Sequence, residues 1–260
     1  VIRAPAVAGT FYPADPARLR RLIDDLLGGA VTPEAPPPQA VIVPHAGYAY
    51  SGPVAATAYN LLRRTRPEIR RVVMAGPAHF VWVDGVALPQ ASALATPLGE
   101  IAVDAEAEAW LRTNACVVDS RLAHDPEHCL EVQLPFLQTL YEDFVAAAML
   151  CGHVDPREVA PLLEHFLGEE DTLVLVSSDL SHYFDYEEAH RRDEATAEAI
   201  CSLRPEDLGA DSACGLVAVQ ALLLAARNRD LQVTQLDLRS SGDTAGDRSR
   251  VVGYGSFSLA

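Results

Sequence analysis

The 260-residue chain contains no lysine: all 20 of its basic residues are arginine. That absence excludes a P-loop lysine reaching a nucleotide phosphate, a Schiff-base lysine and a lysine general base. A GxSxG nucleophile elbow is also missing. Ser177, Asp179 and His182 lie close together in sequence, which disfavours a serine-hydrolase triad. No apolar run reaches the ~18 residues that a membrane span requires. The opening residues VIRAPAVAGTFYP lack the pattern of a secretory signal. There is no CxxC pair, and the five cysteines are an odd number. Free thiols in a reducing cytoplasm are therefore expected. Cys116, Cys129, Cys151 and Cys201 read as small packing residues.

Acidic residues outnumber basic ones by 36 to 20, for a net charge of −16, without a long block of one sign. Such a surface repels nucleic acid and anionic membranes, so neither is expected as a partner. Hydrophobic residues make up 49% of the chain, ordinary for a globular protein.

What is present alternates. Asp15 and Pro16 form an N-cap and first helical position, followed by Leu19, Leu22, Ile23 and Leu26 at helical spacing. Val41–Val43, Arg71–Ala75, Phe144–Leu150 and Thr172–Val176 read as buried strands. Val83–Leu88, Glu100–Val103, Leu231–Leu238 and Val251–Leu259 read as further strands. Helices are predicted over Gly52–Arg64, Asp104–Thr113, Glu131–Tyr141, Asp155–Leu167, Glu187–Ser202 and Cys214–Arg227. Strands alternating with helices of this length predict a three-layer α/β sandwich around one sheet. With no repeat and no long linker, residues 1–260 are read as one domain.

In such sheets ligands gather beyond the carboxyl ends of the strands. His45 follows the strand Val41–Val43, and His79 follows Arg71–Ala75. Asp179 and His182 follow Thr172–Val176. A lone histidine at any of these places would read as a structural residue. Three at equivalent positions suggest metal ligation or proton transfer, because neutral imidazole serves both. HDPEHCLEVQLPFL adds His124, Asp125, Glu127, His128 and Glu131. Asp125-Pro126 interrupts the helix an HExxH zincin would need, so that reading is rejected. The plain alternative is a helix start rich in carboxylates that face solvent. Cys214, with Ser212 as a plausible cap, opens an apolar helix, a position that lowers a thiol's pKa. A thiolate, two imidazoles and an open position would make a mononuclear metal site.

VPHAGYAYSG, GPAHF, TPLGEIAVD, EHCLEVQLPFL, SSDLSHY, ACG and SGDTAGDRSRVVGY occur in this order. Together they resemble the Memo family (mediator of cell motility), whose bacterial and archaeal members are called AmmeMemoRadiSam system protein B. The resemblance runs from GTFYP to VVGY. It implies a fold like the class III extradiol (LigB-like) dioxygenases, with a central mixed sheet. It also implies a metal held by His45, His79 and Cys214, with His182 as acid/base. Fe(II) is the ion it implies first, with Cu(I) or Zn as alternatives. Cys214 stands where the dioxygenases carry a glutamate, and the softer thiolate puts ring cleavage in doubt. Asp179, Glu127, His128 and Tyr48 are expected around the pocket, Asp179 orienting a histidine, and Gly47 is expected to let the backbone fold around His45. Three functions follow as expectations: a redox or oxygen-dependent enzyme acting on a small molecule or peptide, a (phospho)peptide-binding module using the same pocket, or a copper- or iron-holding protein. The system name further implies AMMECR-type and radical SAM partners.

Overall fold

The computed structural model describes residues 1–260. The expected alternation is present, with boundaries shifted by a few residues. In chain order the strands are β1 (Ile2–Arg3), β2 (Ala40–Val43), β3 (Arg71–Pro77), β4 (Val86–Leu88), β5 (Ala93–Thr96), β6 (Gly99–Ala102), β7 (Val117–Asp119), β8 (Val145–Cys151), β9 (Thr172–Ser177), β10 (His182–Phe184), β11 (Val233–Ser240) and β12 (Val251–Leu259). The helices are α1 (Pro16–Gly29), α2 (Gly52–Thr65), α3 (Ala105–Leu111), α4 (Arg121–His124), α5 (Leu134–Leu140), α6 (Pro156–Glu164), α7 (Tyr186–Cys201), α8 (Leu216–Asn228) and α9 (Ser241–Thr244).

The main sheet is mixed. Its centre is the parallel set β2-β9-β3-β8. Antiparallel β4 extends it past β8, and antiparallel β12 extends it past β2. A small sheet of β1, β5 and β6 lies apart. The parallel strands are apolar on both faces, as burial on both sides demands. Ile42, Val73 and Val174 turn towards α6 and α8. Val41, Val72 and Leu173 turn towards α1, α2 and α5. This period-two alternation builds one core on each side of the sheet, which makes the fold a three-layer α/β sandwich.

Capping explains several boundaries. The Asp15 side chain accepts the Arg18 N–H at 2.8 Å, as its sequence position predicts. The helix expected over Glu131–Tyr141 is instead a 3-10 turn over Glu131–Gln133 leading into α5. Pro135 is thereby placed in the first turn of α5, where its missing N–H costs nothing. A larger correction concerns Cys214. Gly215, not Ser212, is the N-cap of α8, and the helix starts at Leu216, so the cysteine precedes the first turn.

Close packing at the end of β3 requires a glycine. A Cβ on Gly76 would stand 2.8 Å from Cys129 Sγ and 3.0 Å from Leu130 Cδ2. The segment carrying Glu127 and His128 thus lies directly against the strand that ends before His79. Gly47 answers no such need, since its Cβ would meet Phe11 at an ordinary 3.5 Å; the bend after His45 does not depend on it. Gly76→Ala should destabilise the fold by about 1–3 kcal/mol, read from the denaturation midpoint. An unchanged midpoint would show that Cys129 and Leu130 move aside freely.

Candidate metal centre

β2, β3 and β9 end side by side, with Val43 paired to Ser177 and Ala75 to Val176. His45, His79 and Asp179 each stand two residues past a strand end, so the register brings their loops to one edge of the sheet. The His45 and His79 ring centroids are 5.3 Å apart. His128 completes the group at 5.5 Å from His45 and 4.9 Å from His79. One ligand atom from each of these three imidazoles lies within 4.8 Å of the other two. Cys214, expected as the third ligand, stands outside this mutual group, with its Sγ 3.2 Å from His45 Nε2 at the start of α8.

Hydrogen bonding fixes which ring nitrogens are available. Gln133 Nε2 donates to Ser177 Oγ at 2.8 Å, and Ser177 Oγ donates its single proton to the Cys129 carbonyl at 2.7 Å. Ser177 Oγ can therefore only accept from His45 Nδ1, 3.0 Å away. The proton of His45 is on Nδ1, and the Nε2 lone pair faces Cys214. His79 Nδ1 donates to Glu127 Oε1 at 2.9 Å, and His182 Nδ1 donates to the Leu180 carbonyl at 2.9 Å. In all three rings the outer nitrogen is held and Nε2 is left as a base or ligand, the arrangement that orients imidazoles in metal sites.

Glu127 is the organising carboxylate. Its Oε1 accepts from His79 Nδ1, from the His128 N–H at 2.9 Å and from the Cys129 N–H at 3.0 Å. Its Oε2 accepts the His79 N–H at 2.7 Å. Burial alone would raise its pKa, but the hydrogen bonds and charge of His79, with the Cys129 N–H, lower it to about 2. Burial depresses the pKa of His45, His128 and His182, so these imidazoles stay neutral near pH 7. The His128 Nδ1 lies 3.2 Å from Glu127 Oε1 without making an aligned hydrogen bond.

Two groups behave otherwise than the sequence suggests. Burial, reinforced by Asp179, pushes the Cys214 thiol up to about 12. The expected lowering fails because the residue lies outside the helix and is largely enclosed by protein beside Asp179. Asp179 itself is pushed up to about 7 by burial. Its Oδ1 accepts the main-chain N–H of His45 at 2.7 Å, so it positions the His45 backbone and not an imidazole ring. The main-chain N–H of Asp179 points at Cys214 Sγ, 3.3 Å away.

The remaining candidates separate clearly. His182 opens β10, where a register irregularity and a left-handed Tyr183 (φ +65°) leave Tyr183 exposed. Such backbone costs of order 1–3 kcal/mol and clusters at functional sites. His182 is near enough to His45 and His79 for charge on one to disfavour charge on the others. Tyr48 is not brought to the cluster. It is buried in the core against Tyr12 and Phe136, its hydroxyl donating to the Val132 carbonyl at 2.6 Å. His124 is structural, bonded through Nε2 to the Ala87 carbonyl at 2.9 Å. Glu131 does not face solvent either. It pairs with buried Arg3 and accepts the Ala6 and Val7 N–H groups at 2.7 and 3.0 Å. Arg3 also donates to the carbonyls of His124 and Glu127, fastening the amino-terminal segment to the segment before α5. Sequence reasoning missed Ser177 and Gln133. Their signal was a glutamine inside the apolar run VQLPFL and a serine closing LVLVS.

The Memo-like protein family model matches residues 3–258, so the chain belongs to the Memo family. A MEMO1 family protein of Aquifex aeolicus is 38% identical over 97% of each chain. One of Ignicoccus hospitalis is 38% identical over 98% of this chain and 97% of the relative. One of Sulfolobus acidocaldarius is 37% identical over 98% of both. Among solved structures, an uncharacterized protein of Escherichia coli K12 aligns with 84% of this chain and 98% of its own at a TM-score of 0.49 and 14% identity. No helix is long and apolar enough to cross a membrane.

Glu127→Gln should cost about 3 kcal/mol near pH 7. The sign follows from the lowered pKa: stability from Glu127 is complete above its unfolded value near 4.5 and is lost as pH falls through about 2. Denaturation of wild type and variant from pH 7 to pH 2 should therefore show curves that converge in acid. A constant gap across that range would mean the carboxylate's charge is not what stabilises the site.

Proposed function

We propose that His45, His79 and Cys214 hold one transition-metal ion, and that the protein uses it in a redox or oxygen-dependent reaction on a small molecule or peptide. The observation that carries this reading is the common orientation of the imidazoles: Nδ1 of His45 and His79 is occupied by Ser177 and Glu127, leaving both Nε2 atoms for a shared ion. Thiolate with two imidazoles suits Fe(II), Cu(I) or Zn. Such an ion supplies Lewis acidity and, if iron or copper, one-electron chemistry. His182, neutral and bonded through Nδ1 to Leu180, would accept or return a substrate proton at Nε2. His128 lies beside His79 as a substrate contact or a fourth donor. A phosphopeptide-binding role has less support, since the arginine bonded into this region, Arg3, is occupied by Glu131 and main-chain carbonyls.

Metal analysis of anaerobically purified protein, followed by oxygen-uptake assays, tests the two halves of the reading separately. Proton release tests the ligand set. Burial keeps the His45 imidazole neutral near pH 7, whereas the Cys214 thiol, with its pKa near 12, must lose a proton on ligation. At saturating metal in weakly buffered solution, wild type should release about one more proton per ion than Cys214→Ala. Equal release would remove Cys214 from the set and give its place to His128.

A further inference from the structure

A cleft of about 320 Å³ opens beside Cys214, between the loop after β3 and the first turn of α8. Its volume lies in the range of small-molecule sites. Ala78, Val81 and Val83 form one wall, and Leu216, Val217 and Ala218 form the other. Cys151, Gly152 and His153, at the end of β8, form the floor, and Cys214 closes the inner end. No aspartate, glutamate or arginine lines it, although the chain carries 56 of these residues.

Two aromatic rings beside this cleft are left in water. Trp82 is 78% exposed and stacks on His153 with centroids 5.3 Å apart. Phe80 is 59% exposed, with its ring 5.8 Å from that of His128. Aromatic surface held open at the mouth of an apolar cleft is a contact surface for a ligand. A second, wider depression shares Gly152, His153 and Val217 with the cleft, and there the lining turns polar, with Asp155, Arg157, Glu206 and Gln220. Charged side chains therefore border the outer depression and are absent from the cleft at Cys214.

We propose that this cleft binds the uncharged, apolar end of a small amphipathic substrate and brings it to Cys214 and the imidazole cluster, while the polar remainder lies outward over Arg157 and Gln220. The inference rests on the metal-site reading for its reaction but not for its binding. Burying an anion among these walls would leave a charge without a partner among the lining side chains. The lining thus selects a neutral group over a phosphorylated or carboxylated one at the inner end.

The test titrates the protein, as purified with its metal, with 2-naphthol and with 2-naphthyl phosphate by calorimetry, and quantifies metal in the same samples. Wild type should bind 2-naphthol at least tenfold tighter than the phosphate ester. Val217→Asp places a carboxylate in the cleft at a helix position that tolerates one. It should weaken 2-naphthol at least tenfold with metal content unchanged, and Trp82→Ala should weaken it severalfold. Three results overturn the proposal: no 2-naphthol binding to wild type, equal or tighter binding of the phosphate ester, or undiminished binding in Val217→Asp. Protein without metal that still binds 2-naphthol would retain the cleft and overturn the metal reading alone. Loss of binding in Cys214→Ala, which keeps the cleft apolar, would place the probe on the metal and so also overturn the cleft proposal.

Discussion

The site depends on one buried carboxylate. Glu127 gathers four N–H groups, two from His79 and one each from His128 and Cys129. A carboxylate so bonded stays ionised inside a protein. In doing so it fixes the backbone and ring of His79 together, and it holds the start of the segment that delivers His128 and Cys129 against β3. Gly76 makes that approach possible by presenting no side chain there. Arg3 and Glu131 anchor the same segment from the other side through a buried ion pair. Breaking such a pair by removing one partner typically costs 3–5 kcal/mol, so the amino-terminal strand, although only two residues long, contributes to the geometry of the cluster.

Burial then sets the chemistry of the groups that Glu127 assembles. It keeps His45, His128 and His182 neutral, and it keeps the Cys214 thiol protonated until a cation arrives. The same dry surroundings extend into the cleft beside Cys214, whose walls are uncharged. Charge of −16 on the chain as a whole and no charged side chain in that cleft are not contradictory. Most acidic residues are exposed, the few at the edge where the parallel strands end are bonded to N–H groups, and none lines the cleft.

The architecture was legible where side-chain periodicity is strong. Val41–Val43, Arg71–Ala75 and Thr172–Val176 are apolar β-branched runs, and they form the parallel centre of the sheet. β1, β7 and β10 were not legible, because two or three residues owe their strand conformation to a partner far away in sequence. The convergence of His45, His79 and Asp179 could be read from their shared place past strand ends, but their equal offsets appear only with the strand boundaries of the structure. Their hydrogen bonds could not be read. Asp179 reads as a partner for an imidazole but holds a main-chain N–H, and Tyr48 reads as a pocket residue but packs in the core. Gln133 and Ser177, which decide the tautomer of His45, lie 44 residues apart, and nothing local links them. Cys214 shows the limit of local rules: its place before a helix suggests a low pKa, whereas the surrounding protein excludes water and raises it.

In the proposed site, two imidazoles and one thiol share an ion at this edge. X-ray absorption at the metal edge of anaerobically purified protein tests it most directly. The predicted spectrum contains nitrogen scatterers near ~2.1 Å and one sulfur near ~2.3 Å, with the sulfur lost in Cys214→Ala. A shell of nitrogen and oxygen alone in the wild-type protein would contradict it.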